Sequence, residues 1–426
     1  MTRGSPHDET LIAGLGGSHT RWRTADSGHG IIDRMNDLAP FRTPERTGPG
    51  RGRRARSALR RAAPALLAYT AIRALGVVVL AVWSAAHGKS WHTLLTARWD
   101  SLWYTRVAEQ GYGYSVQLAN GDVHSNLAFF PLLPWLERGL SAVTPLSAAD
   151  AGLAVSWLAS LAAAWALYLT GERLHGPRAG VALAALWAAL PVGIVQSMAY
   201  SEALFTALAA WGVYCVLTGR WVTAGVLASL AGLTRPVGAA VVAAVWITAA
   251  VTLWRDRPAG GGPGWGRHRR MLLGVLLAPL GWCGYFLWVG AREGSLTAYL
   301  DVQGGWGNGF DGGAAFASFL WDLGFPAGLG LLAGVALVVW LYVLGARRGQ
   351  PLPLLVYGGT VLLLALTAKG YFGSKPRLMM PAYPLLLPLA AGLARWRPAA
   401  AWAVTALVSV GSAVYGAFWL NGSGPP

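Results

Sequence analysis

Apolar runs of membrane length recur along this chain from about residue 64 to 420, divided by short polar or basic segments. The first covers about 64–86, and a long, mostly polar stretch at 87–149 follows it. Runs then come quickly, at about 150–170, 179–196 and 202–218. Residues 222–254 are too long for one crossing and slightly short for two, and Thr234-Arg235-Pro236 interrupts them midway. Two short helices meeting at Arg235 are predicted there. Runs at about 271–291, 325–345, 352–368, 378–394 and 399–420 complete the series. The pattern predicts an all-α, polytopic helical membrane protein with about 11 transmembrane helices.

Charge sorts the connecting segments into two sides. Lys and Arg gather at Arg173–Arg178, Arg220, 255–270, Arg347-Arg348 and Arg395–Arg397. Positive residues favour the cytoplasmic side, so 87–149, 292–320 and 369–377 are expected outside, with the N-terminus cytoplasmic and the plasma membrane as location. Residues 1–60 hold no apolar run of membrane length and end in Arg51–Arg56 and Arg60-Arg61. They are expected to be a disordered basic tail on the anionic leaflet, with a multi-span domain over 61–426. Arg73, inside the first run, has two readings, and snorkelling to the inner headgroups is preferred to pointing into a polar cavity. In the first outer loop, Pro131 and Pro134 oppose a straight span through Ala128–Trp135, so a helix lying in the outer interface is expected.

Composition strengthens the membrane reading. The 426 residues are 54% hydrophobic and 12% charged, about half the charge fraction usual in soluble domains. The formal charge of +16 would suggest nucleic acid in a soluble protein. Here the excess lies between apolar runs, which excludes a nucleic-acid groove. Cys215 and Cys283 both lie in apolar runs and show no zinc or redox spacing.

Candidate chemistry concentrates in Arg98–Tyr114, where Asp100 stands between Trp99 and the Trp103-Tyr104 pair, with Arg98 and Arg106 close by. A carboxylate among aromatic rings offers a base, flat faces for a sugar and cations for a phosphate. An interfacial amphipathic helix with anchoring aromatics is the plain alternative. Other ionisable groups costly to keep at a membrane are expected on the same side: His124, Glu202, Arg235, Lys375 and Arg377. Each has its own plain reading: Ser201-Glu202 as a helix cap, Arg235 as a partner for Glu202, Lys375–Arg377 as a charged loop, and His124 as a hydrogen-bonding loop residue.

Arg98-Trp99-Asp100-Ser101 with Tyr104, then Gly111-Tyr112 and Ala128–Leu132, resembles the PIG-V-type mannosyltransferases. Tyr200-Ser201-Glu202, Leu233–Gly238, Gln303 with Trp306, and Lys375-Pro376-Arg377 continue the resemblance in order, over about 64–420. It implies a GT-C-like membrane fold, a polyprenyl-phosphate-mannose donor in the lipid bilayer, and transfer to a glycan, lipid or protein acceptor. It implies that Asp100 is the catalytic carboxylate in the first outer loop. Arg235, Lys375 and Arg377 would then meet the donor phosphate. Arg98, Trp99, Trp103, Tyr104, His124, Glu202, Gln303 and Trp306 would contact sugar or acceptor. Many GT-C enzymes carry a paired acidic motif, whereas Asp100 has no acidic neighbour within two residues. No cofactor is implied with certainty, and a divalent metal stays open. A transporter or flippase of lipid-linked glycans, or an inactive subunit of a transferase complex, would share many of these features.

Overall fold

The computed structural model describes residues 51–256 and 265–424, so the tail expected over 1–50 and the centre of the 255–270 loop lie outside the described residues. The first helix, α1 (Arg51–Ala86), already takes in 51–60, which the sequence pattern assigns to the tail. Between residues 87 and 149 follow α2 (Trp91–Thr96), α3 (Asp100–Gln110), a hairpin of β1 (Ser115–Gln117) and β2 (Val123–Ser125), and α4 (Leu132–Val143). Pro134 sits in the first turn of α4, where its missing N–H costs nothing. The helix buries Leu133 and Glu137 and exposes Trp135 and Val143.

Next come α5 (Ala148–His175), α6 (Pro177–Ala188), α7 (Ser201–Leu217), α8 (Trp221–Gly232) and α9 (Ala239–Arg255). They are followed by α10 (Trp265–Leu277) and α11 (Leu280–Glu293). Between α11 and the next long helix lie α12 (Ala298–Gly305), β3 (Gly309–Phe310) and α13 (Ala314–Asp322). The chain closes with α14 (Ala327–Arg347), α15 (Leu352–Thr367), β4 (Ala368–Lys369), α16 (Lys375–Met379), α17 (Leu387–Leu393) and α18 (Pro398–Asn421).

Among the described residues six helical segments are long and apolar enough to cross a membrane: Arg56–Ala86, Ala148–His175, Pro236–Arg255, His268–Glu293, Ala327–Arg347 and Pro398–Asn421. The other predicted spans fall on shorter helices. Proline is the reason in two of them. The run at 179–196 is α-helical only to Ala188, before Pro191, and continues as a 3₁₀ turn at Gly193–Ser197. The run at 378–394, with Pro381, Pro384 and Pro388, breaks into Lys375–Met379, a 3₁₀ turn at Tyr383–Leu386 and Leu387–Leu393. The break predicted at Arg235 is present: α8 ends at Gly232 and a 3₁₀ turn, Pro236–Gly238, leads into α9.

Helix α5 packs on α6 and α7, α1 on α18, and α8 on α7 and α10. Small residues set the closest of these approaches. A Cβ on Gly225 of α8 would run into the backbone of Gly274 in α10, so glycine is what lets the two backbones touch.

Three basic side chains close helix C-termini, whose last carbonyls lack intrahelical donors and carry partial negative charge. Arg73 is buried, and its Nη1 donates to Ala188 O at the end of α6 (2.9 Å) while Nε donates to Ser197 Oγ (3.3 Å). It therefore points into the bundle and does not snorkel. Lys375 Nζ donates to Ala365 O (2.6 Å) in α15 and Ala368 O (2.8 Å) just past it. Arg98 Nη1 donates to Leu420 O (2.6 Å) in α18.

Candidate active site

Asp100 opens α3 directly after a backbone irregularity. Trp99, the residue before the helix, has φ 50°, the one positive φ of a non-glycine side chain among the described residues. A left-handed conformation there costs about 1–3 kcal/mol and persists only where its surroundings hold it. Ser101 does much of the holding. Its Oγ accepts from Arg98 N (2.9 Å) and donates to Arg98 O (2.6 Å). The Asp100 side chain that follows the turn is 24% exposed and lies next to Arg377.

Glu202 lies in the first turn of α7, near the positive end of the helix dipole, and is only 1% exposed. The capping expected of Ser201 does not form. Tyr200 occupies the N-cap, and Ser201 Oγ instead bonds Tyr104 Oη (2.7 Å) and accepts from Arg235 Nη1 (3.0 Å). Arg235 precedes Pro236, and proline disfavours helical geometry in the residue before it. Its extended backbone (φ −158°, ψ 154°) aims the guanidinium out of the α8–α9 break, and Nη1 lies 2.7 Å from Glu202 Oε1. The same break accepts Leu132 N on Leu233 O (3.0 Å), so the start of α4 is docked onto it.

Arg377, in α16 and 7% exposed, joins the two carboxylates. Nη1 donates to Asp100 Oδ2 (2.8 Å) and Nε stands 3.3 Å from Glu202 Oε1. Burial works against its charge, but Asp100 and Glu202 outweigh this and raise its pKa above the ordinary arginine value. Asp100, Arg377, Glu202 and Arg235 thus form a line of alternating charge, formally neutral. Asp100 Oδ1 and Arg377 Nη2 carry no hydrogen bond among the described residues.

Of the residues singled out in the sequence, these four come together, with Tyr104 joined to them through Ser201. The others do not reach them. Lys375 and Arg98 are committed to helix ends, and the Arg98 guanidinium also covers the Trp99 ring at 4.0 Å. His124, Gln303, Trp306 and Trp103 join the segment after α1 to the segment around α12. Trp306 stacks on His124 (4.1 Å between centroids) and its Nε1 donates to Ser125 O (3.0 Å). Trp103 stacks on Phe129 (5.6 Å) and meets Trp306 edge-on (4.9 Å). Gln303 Nε2 donates to Tyr299 Oη (2.6 Å), and its Oε1 accepts from Asn308. One face of each of these rings is therefore occupied by protein.

Tyr200 was legible in Tyr200-Ser201-Glu202 only as the neighbour of a carboxylate, yet it is fully buried against the cluster. Its hydroxyl accepts from Asp100 N (3.3 Å) and donates to Arg98 O (3.4 Å), and its ring lies 5.2 Å from the Arg377 guanidinium carbon. Burial, then the Asp100 carboxylate, hold its phenol well above the usual tyrosine range, so it stays a donor.

The donor set does not suit a divalent cation bridging the two carboxylates, because Arg377 already stands between them. Among the described residues no group of three or more His, Cys, Asp or Glu side chains gathers at metal-binding distance.

No protein-family model matches the chain, and no curated protein matches it in sequence. Among solved structures it is similar to ArnT from Cupriavidus metallidurans bound to undecaprenyl phosphate, with TM-score 0.51 and 16% identity over 79% of this chain and 62% of that one. The apo state of the same ArnT gives 0.48 and 18% over 78% and 61%. The Archaeoglobus fulgidus oligosaccharyltransferase in the apo form gives 0.44 and 11% over 83% and 55%. The chain thus spans less than two thirds of the length of these structures. The likeness to undecaprenyl-phosphate-bound ArnT carries the fold: a mostly helical, multi-pass membrane protein of GT-C-like architecture.

Proposed function

We propose that this chain is an inverting glycosyltransferase that moves mannose from a polyprenyl-phosphate-mannose donor to an acceptor hydroxyl at the outer membrane face. The observation that carries the reading is the pairing of Asp100 with Arg377 beside Glu202 and Arg235. An anionic lipid-phosphate leaving group needs a base for the acceptor and fixed cations for the departing phosphate. Its support from the fold is that ArnT, of like architecture, was solved with undecaprenyl phosphate.

In the proposed step, Asp100 Oδ1 takes the proton of the acceptor hydroxyl. The acceptor oxygen bonds to the anomeric carbon as the carbon–oxygen bond to phosphate breaks, and the electron pair leaves on the lipid phosphate. Arg377 holds the base through Nη1 and offers Nη2 to the phosphate, with Arg235 beside it. One base and one displacement give inversion, so a β-linked donor yields an α-mannoside. Lys375 acts at one remove, by holding the end of α15 beside α16.

A transporter would need polar groups at a mid-bilayer helix break to stay open to cargo. At the break after α6 they satisfy one another instead: Arg73 caps Ala188, Gln196 Nε2 donates to Trp187 O and Tyr69 Oη donates to Gln196 Oε1. The test is transfer of labelled mannose from a defined polyprenyl-phosphate mannose by membranes with and without this protein. Label appearing in product only with the protein is the expected result. Equal label in both overturns the reading.

A further inference from the structure

We infer that Tyr200 is a positioning residue for Asp100, and that its hydroxyl holds the base in register with Arg377. The inference rests on the proposed transfer reaction. It begins from Trp99, whose positive φ puts Arg98 O and Asp100 N on either side of a turn that an L-residue adopts at a cost. Ser101 ties down Arg98 on one side of this turn. Nothing on α3 itself holds Asp100 N, because the first N–H groups of a helix have no intrahelical acceptor. Tyr200 Oη supplies that acceptor from another helix and bonds Arg98 O at the same time, so one oxygen spans the turn.

The same side chain also fixes the partner. Its ring carries the Arg377 guanidinium, and a tyrosine with no exposed surface has no alternative rotamer to move into. The residue is anchored in turn by Ser156 of α5, whose Oγ donates to Tyr200 O (2.8 Å). Base and cation come from α3 and α16, 277 positions apart, and Tyr200 is a rigid element touching both.

Tyr200→Phe keeps the ring, its packing and its contact with Arg377, and deletes only the oxygen. A misplacement of about 1 Å can cost roughly 100-fold in rate. The expected result is therefore a fall in kcat of roughly 10- to 100-fold. KM for the polyprenyl-phosphate donor should be nearly unchanged, and the melting temperature should fall only by the small amount that two lost hydrogen bonds imply, with kcat read per folded molecule. Asp100→Asn and the double variant are measured alongside. If Tyr200 acts through Asp100, adding Tyr200→Phe to Asp100→Asn should cost little more than Asp100→Asn alone.

Full multiplication of the two losses overturns the inference, as does a wild-type kcat for Tyr200→Phe with an inactive Asp100→Asn. A fall in melting temperature that accounts for the lost activity overturns it too. An active Asp100→Asn enzyme instead removes the reading on which the inference rests, whatever Tyr200→Phe does.

Discussion

Arg377 Nη1 donates to Asp100 Oδ2 at 2.8 Å, and with this bond α16 holds the segment that follows α1. Its consequence is that Asp100 is not a free loop carboxylate. In the proposed reaction, orientation of the base and neutralisation of the leaving group would both depend on this one guanidinium.

Asp100→Asn keeps the shape but cannot accept a proton at neutral pH. General-base assistance is worth about 10²–10⁴-fold, and transfer per folded molecule should fall by at least that range. The pairing also changes the stability expectation. An exposed loop carboxylate could be replaced without cost, whereas loss of a charged bond to buried Arg377 should cost about 1–3 kcal/mol. Glu109→Gln, on the exposed face of α3, is the control and should leave both activity and thermal stability in place.

Arg377→Lys retains the charge but loses the planar fork that spans Asp100 and Glu202. Donor KM should rise and kcat should fall, while Arg347→Lys at the end of α14 leaves both unchanged. Kinetics over a range of donor concentration decide between them, and equal effects would remove Arg377 from the phosphate site. Arg377→Ala should go further and destabilise the protein by about 1–3 kcal/mol, because Asp100 loses its partner and Glu202 keeps only Arg235.

Arg73→Leu tests whether the arginine in α1 is structural. Ala188 O and Ser197 Oγ would lose their donor, at roughly 1–3 kcal/mol for each buried group left unpaired. Thermal unfolding in detergent should shift downward while transfer per folded molecule stays near normal. An unchanged melting temperature would mean that Arg73 does not cap α6.

Sidedness is checked by cysteine scanning in a background lacking Cys215 and Cys283, the second of which is exposed. Asp122→Cys on the β1–β2 turn should react with an impermeant thiol reagent in intact cells. Arg269→Cys should react only after lysis, since positive residues favour the inner side. The opposite pattern would invert the proposed orientation.

Sequence by itself determined the class of structure. Apolar runs predict helices because a bilayer leaves no other partner for backbone N–H and C=O groups. Pro236 predicts the break that extends Arg235, because the clash with the preceding residue is local. Asp100, Glu202, Arg235 and Arg377 were visible as costly charges at a membrane edge. Which cations face the site, however, was decided by tertiary structure alone. Arg98 and Lys375 look no different in sequence from Arg235 and Arg377, yet they close α18 and α15. Local sequence could not tell them apart, because a helix C-terminus and a carboxylate are equally good acceptors for a cation. Which of the two lies within reach depends on helices brought together from distant parts of the chain. Tyr200 was hidden for the same reason: its hydroxyl acts on a backbone turn a hundred residues earlier, and that turn comes within reach only when α3 and α7 meet.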